Sequence, residues 1–219
     1  MLRVAHFLNK IEAGVDEAGR GPLFGRVYAA AVILNPELEY DGKLIKDSKK
    51  FSSDKKLREV GKYIKENCLK YSIQYEDEKE IDNLNIKNAT YSAMHKVIKE
   101  LDLDFEKTIF IIDGNYFKPY IYFDKSNNSL KEANFECIIG GDNKYCHIAA
   151  ASILAKIARD DYIYDLCKKY PKLNEYYDLK KNKGYGTKKH MDGIKQFGIS
   201  EFHRKTFGIC QNSHLIDIN

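Results

Sequence analysis

The sequence predicts an α/β protein built on one mixed five-stranded sheet flanked by helices, and three observations carry that prediction. Apolar runs of strand length at 11–15, 27–34, 71–75, 108–112 and 135–139 alternate with segments whose apolar residues recur at helical spacing. The first three runs fit antiparallel partners joined by short links, while the last two, reached through helical crossovers, run parallel to the first. Finally, three of the runs end in acids, Asp16-Glu17, Asp113 and Asp142, which the carboxyl edge of such a sheet would gather.

Each element has its own local reason. The run Ile11 to Val15 meets Asp16-Glu17-Ala18-Gly19-Arg20-Gly21-Pro22, and proline can neither extend a helix nor donate to a central ladder. Apolar residues resume from Val27 to Leu34, so the opening reads as strand, tight loop, strand. Asp41 to Ser53 is charged and loop-like, and contains Lys46-Asp47-Ser48-Lys49-Lys50. Ser53 caps a helix with Leu57, Val60, Ile64 and Cys68 on one face, and Tyr71 to Tyr75 alternates as a half-buried strand does. A helix from about Asn85 carries Ile86, Ala89, Ala93, Val97 and Leu101 at helical spacing.

Thr108 to Ile112 is a continuous apolar run, the pattern of a strand buried on both faces, and ends at Asp113-Gly114-Asn115. A polar loop from Lys125 to Lys131 leads to Phe135–Ile139 and then Gly140-Gly141-Asp142. The next helix, from about Lys144, has small residues from Ala149 to Ser152 that would let it pack close to a sheet. Beyond Tyr170-Pro171 the composition shifts to tyrosine, lysine and glycine, and Thr187 caps a short helix ending near Gly198. His203-Arg204-Lys205 follows. No internal repeat or linker divides the chain.

A chain of 219 residues can bury one substantial core, with little room for a second full domain. A net charge of +4 is compatible with nucleic acid without demanding it. The five cysteines form no CxxC pair, which argues against a disulfide framework or a zinc site and for a reducing compartment. Met1 to Lys10 is too short and polar for a signal peptide, and no apolar run reaches membrane-spanning length, so a soluble cytoplasmic protein is expected.

Any one of the strand-end acids alone reads as a turn or cap residue. Four carboxylates at one sheet edge repel one another unless cations lie between them, and all-oxygen ligands suit magnesium or manganese. Two such ions, about 3.5–4 Å apart, could activate water and stabilise an oxygen leaving phosphorus. Asp16 and Glu17 are neighbours in a strand and face opposite ways, so sharing a site requires a bend there.

The stretches GVDEAGRGP (14–22), DSKK (47–50), IDGN (112–115), GD (141–142) with IAAASILAK and ARD behind it, and NKGYGT (182–187) together resemble the ribonuclease HII family in order and spacing over nearly the whole chain. The resemblance implies an RNase H-like core over residues 1–170 and a helical, substrate-binding C-terminal region over 171–219, packed as one structural unit. It implies metal-dependent cleavage on the 5′ side of ribonucleotides, in RNA–DNA hybrids and at single ribonucleotides in duplex DNA, leaving 3′-hydroxyl and 5′-phosphate ends. By motif, Asp16, Glu17, Asp113 and Asp142 match the catalytic acids, and Gly19, Arg20 and Gly21 match the loop that senses the ribose 2′-hydroxyl. Tyr185 matches the tyrosine that packs on the neighbouring deoxyribose.

The residues themselves agree with these roles. A protein that distinguishes RNA from DNA must contact the 2′-hydroxyl, and glycine backbone can approach a sugar closely. Arg20 could instead form a surface salt bridge, and Tyr185 could pack within its loop. Lys49, Lys50, Lys180, Lys181, Lys183, Lys188 and Lys189 either form solvated faces or hold phosphates. His190 and His203 read as surface or packing residues, since the acids suffice for hard ions.

Arg26 stands where the family commonly has proline, and Ile209 follows Phe207-Gly208 where proline often sits; both bear on loop shape rather than on the acids. Fifteen residues before Asp16 favour ribonuclease HII over its sister ribonuclease HIII, which carries a large N-terminal extension. Other readings are a resolvase-like nuclease on the same fold or a non-catalytic nucleic-acid binder. A monomer is expected. The tail, Gln211 to Asn219, lacks the aromatic pair usual in replication-clamp motifs and gives no support for clamp binding.

Overall fold

The computed structural model describes residues 2–3, 6–7, 10–38, 44–46, 48 and 51–218. Its strands are β1 (Ile11–Ala18), β2 (Val27–Leu34), β3 (Cys68–Glu76), β4 (Thr108–Asp113), β5 (Ile121–Asp124), β6 (Ser129–Glu132) and β7 (Phe135–Ile138). Five of them form one mixed sheet in the order β3-β2-β1-β4-β7, and β5 and β6 pair separately as a hairpin. β2 runs antiparallel to β1 and β3, while β4 is parallel to both β1 and β7.

Every residue of β2 is buried, the outcome expected of a central strand covered on both faces. One face packs against α1 (Asp54–Asn67) and α4 (Cys146–Lys169), the other against α3 (Ile86–Glu100). The remaining helices are α2 (Glu78–Leu84), α5 (Pro171–Tyr177), α6 (Leu179–Asn182) and α7 (Lys188–Phe197). Ser53, Asn85 and Thr187 cap α1, α3 and α7 by accepting from the amides of Lys56, Asn88 and His190, contacts worth about 1 kcal/mol each.

The small residues of α4 bring its backbone hard against β1. A Cβ at Gly14 would lie 2.2 Å from the carbonyl carbon of His147, so only glycine fits there. This contact holds the α4 face of the sheet directly under the strand end that bears Asp16.

The connections differ from the sequence expectation. The third strand is reached through α1 rather than a short link, and begins at Cys68 directly after the helix. β7 arrives through the β5–β6 hairpin instead of a helical crossover, so much of the expected polar loop 125–131 belongs to that hairpin. Residues 125–128 are the turn of the hairpin, and only 129–131 lie in a strand, β6. α2 has no counterpart in the sequence pattern: with seven residues it is too short to show a helical period.

The C-terminal segment has its own apolar cluster, in which Leu173, Tyr177 and Ile194 pack on Phe24 and on Ile163 of α4. Ile218 near the end of the tail is buried in the same cluster. All five cysteines are free. No described helix is long and apolar enough to cross a membrane.

Candidate active site

The three strand-end aspartates converge. Asp16 lies near the end of β1, Asp113 ends β4, and Asp142 sits in a 3-10 turn (Gly141–Asn143) after β7. Each offers an oxygen, and these atoms all lie within 4.8 Å of one another. The amide of Gly141 donates to Asp113 Oδ1 at 2.7 Å, tying the acid of β4 to the turn that carries Asp142. The amide of Glu17 donates to Asp16 Oδ1 at 2.7 Å, and Asn143 Nδ2 to Asp142 Oδ1 at 2.9 Å.

Glu17 borders the same cleft, of about 290 Å³, without joining the close group. No bulge brings it there. β1 and β2 keep regular register through Ala18, but β1 and β4 stop pairing at Val15–Ile112, so residues 16 and 17 project beyond β4 and both border the gap. The Glu17 carboxylate accepts from Arg20 Nη1 at 3.1 Å.

Burial is the main force on these acids. Asp16 is 5% exposed, and burial followed by the charges of Glu17 and Asp113 pushes its carboxyl well above the ordinary range. Burial also raises Glu17, against the opposing pull of Arg20. Lys156 lies in the cleft, but its ammonium is held by Asp160 at 2.8 Å. Crowded, buried, all-oxygen donors fit a hard divalent cation such as Mg2+ or Mn2+.

The glycine loop between β1 and β2 is moulded around one residue to which the sequence pattern assigns no role. Arg204, fully buried, donates all five of its N–H groups to carbonyls of Gly19, Arg20, Pro22, Gly25 and Arg26, at 2.5–3.2 Å. Burial and the neighbouring Arg159 push its pKa down to about 9, which leaves it charged at neutral pH. Because a trans peptide sets C=O and N–H on opposite sides, the inward carbonyls of Gly19 and Arg20 turn the amides of Arg20 and Gly21 away from this guanidinium.

The loop that carries Tyr185 is stitched to the glycine loop. Leu23 N–H donates to the Gly184 carbonyl at 2.9 Å, and buried Arg159 bridges the carbonyls of Phe24 and Lys183 at 3.3 and 2.7 Å. Tyr185 is 50% exposed, lines the cleft with Gly19, Arg20 and Gly21, and has a ring carbon 3.5 Å from where a Cβ on Gly21 would sit. Packing within its own loop does not account for that ring.

The lysines are less concentrated. Lys183 Nζ donates to the Lys180 carbonyl at 2.5 Å and lies 3.7 Å from the centre of the Tyr164 ring, outside the acid cleft. Lys49 and Lys50 lie outside the described residues, though Ser48 of the same run reaches the cleft and contacts Ser152 Oγ at 3.1 Å. Arg26 is stacked between the rings of Tyr75 and Tyr162, at 3.9 and 4.3 Å. His190 and His203 are fully buried and lie away from the acids. Ser152, Lys156, Arg159 and Asp160 also line the cleft, and their spacing on one stripe of α4 was a signal available in the sequence.

The sequence matches the family profile described as Ribonuclease HII over residues 13–210. It is 46% identical over 198 residues to a ribonuclease HII of Pelagibacter ubique, covering 90% of this chain and 96% of that protein. It is 40% identical over 216 residues to one from Phocaeicola vulgatus, covering 97% of each. Among solved structures, ribonuclease H2 from Pyrococcus horikoshii superposes with a TM-score of 0.70 at 23% identity, covering 91% of this chain and 95% of that one. RNase HII of Archaeoglobus fulgidus, solved in a PCNA complex, superposes with a TM-score of 0.66 at 22% identity, covering 88% and 91%. Together with the acid cleft, these matches show that the chain belongs to the ribonuclease HII family and is a metal-dependent ribonuclease H.

Proposed function

We propose that the enzyme hydrolyses the phosphodiester on the 5′ side of ribonucleotides, both in RNA–DNA hybrids and at single ribonucleotides in duplex DNA, leaving 3′-hydroxyl and 5′-phosphate ends. The observation that carries this reading is the single cleft shared by the acids, the glycine loop and Tyr185. Asp16, Asp113 and Asp142 would hold Mg2+ or Mn2+, with Glu17 adding a carboxylate at the rim, and a pair of such ions would supply activation of a water and stabilisation of the leaving 3′-oxygen.

The chain's own residues choose the bond. The amides of Arg20 and Gly21, turned away from Arg204, donate to the 2′-hydroxyl that only a ribonucleotide carries. Arg20 approaches the same sugar or its phosphate while its pairing with Glu17 keeps the side chain at the cleft mouth. The exposed ring of Tyr185 packs on the next sugar, where a missing 2′-hydroxyl leaves an apolar face. Lys183, and Lys49 with it, contact phosphates and carry no sequence information. The enzyme acts as a monomer in the cytoplasm, with residues 171–219 forming the substrate-binding region.

Cleavage of duplex DNA containing one ribonucleotide, with and without magnesium, tests the reading. Nicking on the 5′ side only with metal is expected; nicking of all-DNA duplex at the same rate would overturn it. For Tyr185, the Tyr185→Ala enzyme is expected to lose more kcat/KM on a lone ribonucleotide than on a continuous RNA strand, by several-fold, since stacking contacts carry about 1–3 kcal/mol.

A further inference from the structure

Two fully buried histidines connect the Tyr185 loop to the segment that carries Arg204. His190, in the first turn of α7, and His203 meet with their Nε2 atoms 3.1 Å apart. The outer partners fix the direction of this contact. The Ser200 backbone N–H donates to His203 Nδ1 at 3.0 Å, so in a neutral ring the proton of His203 sits on Nε2. That proton is donated to His190 Nε2, which places the proton of His190 on Nδ1, where it is donated to the Tyr185 carbonyl at 3.0 Å.

Burial holds both rings below their usual pKa, and His190 lowers His203 further. Among the described residues neither histidine takes part in an ion pair, and the ring of Tyr177 packs 4.7 Å from His203 and 5.7 Å from His190. A buried polar chain is costly unless every member is satisfied, and apolar residues of similar volume would fill the space more cheaply. This chain ends on the one carbonyl belonging to the exposed ring of the cleft. The turn before it takes positive φ at Lys183 (53°) and Gly184 (83°), and the Tyr185 carbonyl also accepts from the Thr187 amide at 2.7 Å, so His190 adds a tie from this locally bonded loop to the segment that carries Arg204.

We propose that His190 and His203 are positioning residues whose relay from Ser200 fixes the Tyr185 backbone, holding the ring beside Gly21 and thereby setting the preference for a ribonucleotide followed by deoxyribose. The inference rests on the role given above to Tyr185. Arg204, next in the chain, does the same for the glycine loop, so that Ser200–Arg204 aligns both halves of the recognition cleft.

Two near-isosteric variants separate anchoring from packing. In His190→Asn the amide nitrogen takes the place of Nδ1–H and keeps the bond to Tyr185; in His190→Gln the amide takes the place of Nε2 and the bond to Tyr185 is lost. The readout is the ratio of kcat/KM on a lone ribonucleotide to that on a continuous hybrid, with Tyr185→Ala as reference. His190→Asn, which keeps the bond to Tyr185 but gives up the one to His203, is expected to stay nearer the wild-type ratio, and His190→Gln to lower it about three- to tenfold, the effect of one lost hydrogen bond. A lowered ratio in Tyr185→Ala with equal ratios in the two histidine variants would overturn the relay alone. An unchanged ratio in Tyr185→Ala would overturn the relay together with the role of Tyr185. Should His190→Gln fail to fold, the 15N shifts of the wild-type imidazoles decide: protons on His190 Nδ1 and His203 Nε2 support the relay, and the opposite tautomers refute it.

Discussion

Replacing Asp16 by asparagine should make the metal-free protein more stable while abolishing catalysis. The asparagine Oδ1 can still accept from the Glu17 amide, so the substitution removes charge with little change in shape. At a separation of 4.8 Å, two unit charges repel by about 0.9 kcal/mol in bulk water and about 3.5 kcal/mol at the effective dielectric typical near a protein surface. A net gain of about 2 kcal/mol lies between these limits, and for a protein of this size it corresponds to a rise in Tm of about 4–8 °C.

The sign follows from the direction of the shift. Asp16 has a raised carboxyl pKa, so the native state binds its proton more tightly than the unfolded chain does. Its penalty is therefore full above the folded pKa and disappears below the ordinary value of 3.8. The variant should lead at pH 7 in EDTA and lose its lead under acid conditions.

Saturating magnesium should reverse the order, because a ligand at 100 times its Kd adds about 2.7 kcal/mol to the form that binds it. Thermal melts of both proteins in EDTA and in magnesium make the comparison, with cleavage measured alongside. A variant no more stable than wild type in EDTA at pH 7 would refute mutual repulsion among the acids. An equal magnesium shift in both proteins would show that Asp16 holds no metal.

Arg204→Met should cost about 3–5 kcal/mol in urea unfolding, since five inward carbonyls lose their donor at once, and Arg204→Lys should recover less than half because lysine has only three donors. Gly19→Ala should destabilise by about 2–3 kcal/mol and depress cleavage at lone ribonucleotides, because φ is +94° and the new Cβ would lie 2.2 Å from Arg159 Nε. Lys183→Ala should weaken both substrates alike and flatten the salt dependence of binding, leaving their ratio unchanged.

Much of the site is legible in the chain itself, because strand-end acids are a local pattern and a sheet edge gathers them by geometry. Asp16, Asp113 and Asp142 meet as their positions in the chain imply. The caps at Ser53 and Thr187 are readable because each depends on a side chain and an amide three residues away. The β5–β6 hairpin is not, because each strand is only four residues long and β5, Ile-Tyr-Phe-Asp, shows no apolar–polar alternation. Helix α2 escapes for the same lack of periods.

What the sequence by itself determined is most of the elements, the order in which they follow and the acids at their ends, since hydrophobic period and turn chemistry act over a few residues. Only the tertiary structure decided how the cleft is held. Glu17 reaches it because β4 stops pairing before it, a fact of register between strands far apart in the chain. Arg204 shapes a loop 178 or more residues earlier, and His203 reaches Tyr185 only through His190. A buried guanidinium or imidazole leaves no periodic trace, because its partners are carbonyls and ring nitrogens brought close by packing. Their identity depends on three-dimensional proximity, which spacing along the chain does not encode.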